Sequence, residues 1–242
     1  MSGTSSTTAR ALEGIRALSF DLDDTLWDCA PAIRHAEATL HGWFERETPR
    51  IVARHDPTSL AAHRAAVLAE HPELAVDVTA SRRKAIERLL IEHDYPASRV
   101  DEAFAAFHRA RSDVVLYDGV AELLAALAER YPLAAITNGN ADLERIGLAG
   151  HFDVVLAASL ERAPKPAPDM FHDCLERLGL EPHELLHIGD NAHTDVGGAQ
   201  RAGVRALWFN GRGERWPEEL APPELEVGSI AELGQRLLDG GD

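Results

Sequence analysis

The stretch Ala17-Leu18-Ser19-Phe20-Asp21-Leu22-Asp23-Asp24-Thr25-Leu26 decides the fold, because a short apolar run ends there in a group of acidic side chains. Residues two apart in an extended chain point to the same side, so Asp21 and Asp23 concentrate negative charge. Carboxylates held together are costly unless a cation shares them, and magnesium prefers such oxygen ligands. The alternative is that Asp23 and Asp24 only cap the following turn.

Further apolar runs show how this stretch fits into a sheet. They cover residues 133–136, 154–158, 185–188 and 204–209, and they are typical of buried parallel strands. Helical patterns alternate with them over residues 119–130, 168–178 and 195–202. The alternation predicts an α/β fold with a doubly wound parallel sheet. Functional groups of such sheets gather at the carboxyl ends of the strands.

Residues 30–115 interrupt the alternation with helical periodicity and no strand-like run. We therefore predict an inserted α-helical cap over 30–115, with the core formed by residues 15–29 and 116–242. The small, polar residues 1–14 predict a disordered tail. Near the other end, the Gly-, Pro- and Glu-rich residues 212–223 predict a loop, and residues 229–238 predict a short helix.

Composition excludes several classes of function. The 242 residues carry a formal charge of -16, which repels nucleic acid backbones and anionic membranes, and no basic stripe offsets it. We expect neither nucleic acid nor a membrane as a partner. No apolar segment is long enough to act as a signal peptide or to span a bilayer, which favours a cytoplasmic location. No pattern specifies an oligomeric state.

Polar residues end two further strands of the predicted sheet. Thr137 and the backbone N–H of Asn138 follow the 133–136 run, where a hydroxyl and an amide suit a phosphoryl oxygen. Asp190 follows the 185–188 run, and Asp195 begins the next predicted helix, whose positive end favours a carboxylate. Each motif alone is also an ordinary strand-to-turn sequence or helix cap.

Lys165 is a candidate for the cation of this site. Lys84 and Lys165 are the only lysines in the chain, and Lys165 lies between Pro164 and Pro166, which stiffen its loop. A rigid loop can aim one ammonium inward, and lysine's compact charge is not interchangeable with arginine at a crowded anionic site. Four such coincidences in a fixed order are far more specific than any one of them.

Together these motifs resemble the haloacid dehalogenase superfamily. The matching segments are Asp21-Leu22-Asp23-Asp24-Thr25, Thr137-Asn138, Lys165-Pro166, and Gly189-Asp190 through Asp195. The resemblance covers nearly the whole chain and implies a Rossmann-like core with a helical cap inserted after the first strand. It also implies an Mg²⁺-dependent hydrolase acting on a small-molecule phosphate ester.

The resemblance further implies roles for individual residues. Asp21 would attack phosphorus and form a phospho-aspartate, while Asp23 would protonate the leaving group and later activate water. The remaining catalytic residue, Lys165, would bind the phosphoryl oxygens together with Thr137 and Asn138.

The implied metal ligands are Asp21, the main-chain carbonyl of Asp23, and Asp190. Around them, Thr25 would orient the Asp23 segment, and Asp195 would hold waters or Lys165. Three other possibilities stay open: a 2-haloacid dehalogenase, a phosphomutase, and a non-catalytic binding module on the same fold. The dehalogenase needs neither Mg²⁺ nor an acid two residues after the nucleophile, so Asp23 and Asp190 favour the phosphatase.

Beyond the motifs, the sequence is similar to the bacterial flavin-pathway phosphatase family. The similarity lies in Trp27-Asp28 after the first motif, His71-Pro72-Glu73-Leu74 with Asp77-Val78-Thr79, residues 136–141, and residues 195–199. It implies flavin mononucleotide (FMN) or 5-amino-6-(5-phospho-D-ribitylamino)uracil as substrate. For such a flat heterocycle, Trp27 is our candidate stacking platform; the alternative is that Trp27 packs at the hinge of the cap.

Overall fold

The computed structural model describes residues 12–238 of the chain. A single parallel sheet forms its core, built from β1 (Ala17–Phe20), β2 (Leu133–Thr137), β3 (Val154–Ala157), β4 (Leu185–Gly189), β5 (Arg205–Phe209) and β6 (Leu225–Val227). The spatial order is β3-β2-β1-β4-β5-β6. The predicted α/β fold with a doubly wound parallel sheet is confirmed.

β1 lies in the middle of this sheet, and its register places the first motif. Phe20 is level with Ala135 of β2 on one side and with Ile188 of β4 on the other. Strands β2, β1 and β4 therefore end beside one another, and the polar residues that follow them meet at the same edge of the sheet. This edge carries the candidate site.

Apolar packing on both faces explains why three of the four residues of β1 are hydrophobic. Leu18 and Phe20 belong to a cluster that includes Leu124, whereas Ala17 belongs to a cluster that includes Phe171. A strand that is covered on both faces needs no polar alternation. Every residue of β1 is buried, and Asp21 is the first charged residue after this strand.

The helices are α1 (Cys29–Glu47), α2 (Pro49–Val52), α3 (Pro57–Glu70), α4 (Val78–Glu92), α5 (Val100–Arg111), α6 (Val120–Ala128), α7 (Leu143–Ile146), α8 (Asp169–Leu178), α9 (Gly197–Arg201) and α10 (Ile230–Leu238). Shorter 3₁₀ turns cover Pro72–Val76, Ala97–Arg99, Ala149–His151 and Pro182–Glu184. Over residues 12–238, none of the helices has the length and apolar character needed to cross a bilayer.

The inserted segment consists of helices α1 to α5, from Cys29 to Arg111, compared with the predicted limits of 30–115. These helices enclose a hydrophobic cluster of their own, which includes Phe44, Leu90 and Phe107. The Asp28 carboxylate caps the first of them by accepting a hydrogen bond from the Ala30 N–H at 3.1 Å. The segment is thus a helical layer with its own core.

The helix predicted over residues 195–202 begins differently. A π-helical turn, Ala192–Val196, precedes α9, and the side chain of Asn191 caps that turn. Asp195 therefore lies inside the turn and not at the start of the helix, which corrects the prediction. The wide turn brings the Asp195 side chain back against Gly189, where an added Cβ would overlap it.

Strand β6 was not predicted, and it lies between the predicted loop and the last helix. It pairs in parallel with β5, with Leu225 level with Leu207. Its three residues are too few to show a strand periodicity against the surrounding loop.

The predicted disordered tail is wrong for its last residues. Residues 1–11 lie outside the described part of the chain. Leu12 is buried in the main core cluster, and the Glu13 carbonyl accepts a hydrogen bond from Arg205 at 2.8 Å. Burial of one apolar side chain and this hydrogen bond hold residues 12–14 against the core.

Candidate active site

Three carboxylates converge at the carboxyl edge of the sheet. Asp21 follows β1, and Asp190 and Asp195 follow β4; oxygens from all three side chains lie within 4.8 Å of one another. The sheet brings them together, because the Asp21 N–H continues the ladder by donating to the Ile188 carbonyl at 2.8 Å. The structure thus joins the first and fourth sequence motifs into one acidic cluster.

Lys165 supplies the cation inside this cluster. Its ammonium lies 2.6 Å from Asp21 Oδ1, 2.7 Å from Asp195 Oδ1 and 2.6 Å from the Ile136 carbonyl, and its side chain is 1% exposed. The three protons of the ammonium therefore have three acceptors. The Asn138 side chain fixes the loop, because it accepts from the Lys165 N–H and donates to the Lys165 carbonyl, each at 2.8 Å.

One ammonium does not compensate all of the buried charge. Burial raises the pKa of Asp21 to about 8 despite Lys165, and burial with repulsion from Asp195 raises the pKa of Asp190 to about 7. Burial alone would also raise the pKa of Asp195, but Lys165 and His187 hold it well below its usual range. Burial would lower the pKa of Lys165, but the two carboxylates beside it keep it raised. The three carboxylates and one ammonium therefore leave an excess of negative charge, which a second cation would stabilise.

The oxygen atoms of the site differ in whether other groups already engage them, and this decides which of them fit Mg²⁺. Asp195 has its oxygens engaged by Lys165 at 2.7 Å and by the Asn191 N–H at 2.9 Å. The Asp23 carboxylate is also engaged by other side chains, described below. Carboxylate oxygens of Asp21 and Asp190 are therefore the atoms of this cluster that could bind a metal ion, and the family resemblance adds the main-chain carbonyl of Asp23 to them.

The raised pKa values predict how magnesium affects stability. Asp21 and Asp190 keep protons in the folded protein up to about pH 8 and about pH 7, whereas their ordinary pKa is 3.8. The metal-free protein should therefore lose stability as pH rises from about 4 to about 8, because over this range the unfolded chain releases protons that the folded protein still holds. A magnesium ion bound by the ionised carboxylates would stabilise the folded protein more strongly as pH rises over the same range.

The measurement is the melting temperature with Mg²⁺ and with a chelator, at about pH 6 and about pH 8. We expect the Mg²⁺-induced increase to be larger at the higher pH, and Asp190→Asn to lose most of it. Equal increases at both pH values would contradict the assignment of these carboxylates as ligands.

Thr137, Asn138 and Thr25 lie beside the cluster. The Thr137 hydroxyl accepts from the Gly139 N–H at 2.9 Å, so its own proton is available for an oxygen of a ligand. Thr25 is fully buried, and its hydroxyl is 3.5 Å from Asp190 Oδ1. The Thr25 hydroxyl therefore donates toward Asp190, whereas the resemblance implies that Thr25 orients the Asp23 segment.

Trp27 is not a stacking platform. Its side chain is 0% exposed and belongs to the core cluster, so a ligand cannot reach its ring face. Its Nε1–H donates to Asp23 Oδ1 at 2.8 Å. The hinge-packing alternative is the correct one: Trp27 bridges to Leu116, and the Tyr117 N–H donates to the Leu26 carbonyl at 2.9 Å, where both connections between core and cap meet.

Trp27→Phe is therefore expected to affect all substrates alike. The variant keeps an aromatic ring in the core but removes the donor to Asp23. We expect kcat for FMN and for p-nitrophenyl phosphate to fall by the same factor, measured as phosphate release under saturating substrate. A loss confined to FMN would restore the stacking role.

Three neighbours of the site were not assigned by the sequence. Arg111, at the end of α5, pairs with Asp23 at 2.5 Å. His187, in β4, shares a hydrogen bond with Ser19 at 2.9 Å. Trp208 Nε1 donates to the Asp190 carbonyl at 2.6 Å. Only the fold brings Arg111 and Trp208 to the motifs, whereas His187 lies in β4, just before the Gly189-Asp190 motif.

Comparison with known proteins agrees with this geometry. A family model described as haloacid dehalogenase-like hydrolase matches residues 15–203. The chain belongs to the haloacid dehalogenase-like hydrolases. It is 36% identical to the 5-amino-6-(5-phospho-D-ribitylamino)uracil phosphatase YigB of Escherichia coli K12, over 93% of this chain and 97% of that protein.

Other members of the family are nearly as similar. A phosphoserine phosphatase of Thermus thermophilus is 33% identical over 90% of this chain and 98% of its own. The crystal structure of a 2-haloacid dehalogenase from Pseudomonas syringae pv. tomato superposes with a TM-score of 0.85 at 35% identity, over 93% and 99% of the two chains. The predictions of this family, of its fold and of a phosphatase-type hydrolase are confirmed.

Proposed function

We propose that this protein is a magnesium-dependent phosphatase that hydrolyses FMN or 5-amino-6-(5-phospho-D-ribitylamino)uracil through a phospho-aspartate on Asp21. The observation that carries the chemistry is the buried Asp21 carboxylate, held by Lys165 at 2.6 Å beside Asp190, with Asp23 two residues further on. This set contains a nucleophile, an acid–base group and oxygen ligands for one cation.

In the proposed reaction, the Asp21 oxygen that is not held by Lys165 attacks phosphorus in line. The new bond joins this oxygen to phosphorus while the ester P–O bond breaks, and Asp23 gives its proton to the leaving oxygen. Asp23 then takes a proton from water, which hydrolyses the phospho-aspartate and regenerates Asp21. Lys165 and the Thr137 hydroxyl stabilise the charge on the phosphoryl oxygens. Bound Mg²⁺ would neutralise phosphoryl charge and align the phosphate with Asp21.

The identity of the leaving group is supported by one relative and by a cavity. YigB, at 36% identity over most of both chains, bears the name of a ribitylaminouracil phosphatase. A cavity of about 500 Å³ opens beside Asp23, between the cap helices and residues 138–140, which suits a leaving group of heterocycle size. Its polar lining includes Arg64, Ser81, Arg82, Arg111 and Asn140.

A 2-haloacid dehalogenase is the second candidate, because a structure of that name is 35% identical to this chain. Both activities would begin with attack by Asp21, on carbon in one case and on phosphorus in the other. The Asp23 carboxylate and the Asp190 ligand position have a use only in the phosphatase.

Release of inorganic phosphate tests the proposal. The substrate panel contains FMN, the ribitylaminouracil phosphate, phosphoserine and p-nitrophenyl phosphate, each with Mg²⁺ and with a chelator, alongside halide release from 2-chloropropionate. We expect Mg²⁺-dependent phosphate release, with the highest kcat/KM for one of the two flavin-pathway substrates. Halide release without phosphate release would establish the dehalogenase; a better ester elsewhere in the panel would replace only the substrate.

A cytoplasmic location and a lack of nucleic acid partners remain part of the proposal.

A further inference from the structure

The carboxylate of Asp23 is held from both sides. Trp27 Nε1 donates to Oδ1 at 2.8 Å, and Arg111 Nη2 donates to Oδ2 at 2.5 Å. Arg111 is 88 residues away in sequence, at the end of the last helix of the cap. The acid–base group of the core is thus oriented by a side chain that the cap contributes.

Arg111 differs from an ordinary surface ion-pair partner. Its side chain is 2% exposed, and its Nη1 is buried without an acceptor among residues 12–238. Burying a guanidinium that is not fully hydrogen-bonded costs free energy, so stability alone is a poor reason for this arrangement. Arg111 also lines the cavity beside Asp23.

The pair lies next to the predicted phosphate-binding hydroxyl. A Cβ added to Gly139 would overlap Asp23 Oδ2 and would lie 3.3 Å from both Arg111 Nη2 and Thr137 Oγ1. These three polar atoms therefore surround the same small space at the strand edge. A phosphate ester bound to Thr137 would bring its leaving oxygen close to the carboxylate that Arg111 holds.

We propose that Arg111 is a positioning residue, which acts on the reaction by fixing the Asp23 carboxylate beside the leaving oxygen and the attacking water. This inference rests on the proposed phosphatase function. Arg111 exchanges no proton itself. The proton moves from Asp23 to the leaving oxygen in the first step and from water to Asp23 in the second, so that Arg111 has an effect only while Asp23 is present.

A double-mutant cycle tests that dependence, using Arg111→Met, Arg111→Lys, Asp23→Asn and the double variant Asp23→Asn/Arg111→Met. We expect Arg111→Met to lower kcat for FMN about 10- to 100-fold with little change in KM, as for other residues that orient a reacting group. Arg111→Lys should recover part of the loss, since it keeps a donor to Asp23. In the Asp23→Asn background, Arg111→Met should cause no further loss.

Arg82→Met is the matched control. Arg82 lines the same cavity and is also largely buried, but its guanidinium pairs with Glu37 at 2.9 Å and stacks on Phe107. Any effect of Arg82→Met should appear in KM and persist without Asp23. Equal losses from Arg111→Met with and without Asp23 would overturn the positioning role while leaving the phosphatase intact. A wild-type protein that releases no phosphate would overturn both.

Discussion

Asp21→Asn is expected to lower kcat/KM for every phosphate ester by at least about 10⁴-fold, because an amide does not attack phosphorus to form an acyl phosphate. The fold should be unaffected. The asparagine carbonyl can still accept from Lys165, and the change removes one of the crowded, buried carboxylates of the cluster. The melting temperature of the metal-free protein should therefore stay equal or rise.

Asp24→Asn is the matched control for this variant. The same change is made three residues away, at a carboxylate that accepts from the Cys29 N–H at 2.9 Å and pairs with Arg212 at 2.9 Å. We expect its activity to stay within about tenfold of wild type. Phosphate release and the mass of acid-quenched protein, which reports a covalent phospho-enzyme, should both be lost only in Asp21→Asn. Substantial turnover by Asp21→Asn would exclude the covalent mechanism.

Lys165→Met should abolish turnover and, without Mg²⁺, destabilise the fold by about 3–5 kcal/mol, which is the usual cost of removing one partner from a buried ion pair. Asp21 and Asp195 would keep their burial and lose the ammonium that lies within 2.7 Å of both. The free energy of unfolding in urea, at about pH 8 with a chelator and with Mg²⁺, measures this effect. Mg²⁺ should recover part of the stability and none of the turnover.

The chain offers an internal control for this prediction. Lys84, the other lysine, is 42% exposed on α4 and pairs with Glu87 at 2.7 Å within the same helix. Lys84→Met should change the free energy of unfolding by no more than about 0.5 kcal/mol. If Lys165→Met and Lys84→Met were equally stable in metal-free buffer, the charge balance described for the cluster would be wrong.

The strands and the convergence of the motifs could be predicted from sequence because both follow from local rules. Apolar runs locate the buried strands, and in a parallel sheet the residue after each strand reaches the same edge. This logic brought Asp21 and Asp190 to one place without any knowledge of distances, whereas Lys165 was assigned to the site from its proline-flanked loop and from the resemblance. It also predicted a cation at this edge, since carboxylates held together there repel one another.

What sequence did not provide depends on contacts between distant segments. Arg111 has no periodicity or motif to distinguish it from other arginines of the cap, and only folding brings it to Asp23. Trp27 follows the first motif directly, and sequence alone does not reveal which way its ring turns; the chain turns it into the core. Strand β6 forms by pairing with β5, and this tertiary contact leaves no signal in the three residues of β6 themselves.

The scarcity of lysine has a practical consequence for labelling chemistry. Amine-reactive reagents need an accessible, unprotonated amine, and Lys165 is enclosed by its acceptors with a side chain 1% exposed. Lys84 is then the single lysine of the sequence that presents its amine to such a reagent. The α-amino group of the chain reacts with the same reagents, so a fluorophore would mark helix α4 of the cap through Lys84 once that group is blocked. Lys84 is therefore an attachment point for following the cap by energy transfer, while the fold protects the amine of Lys165.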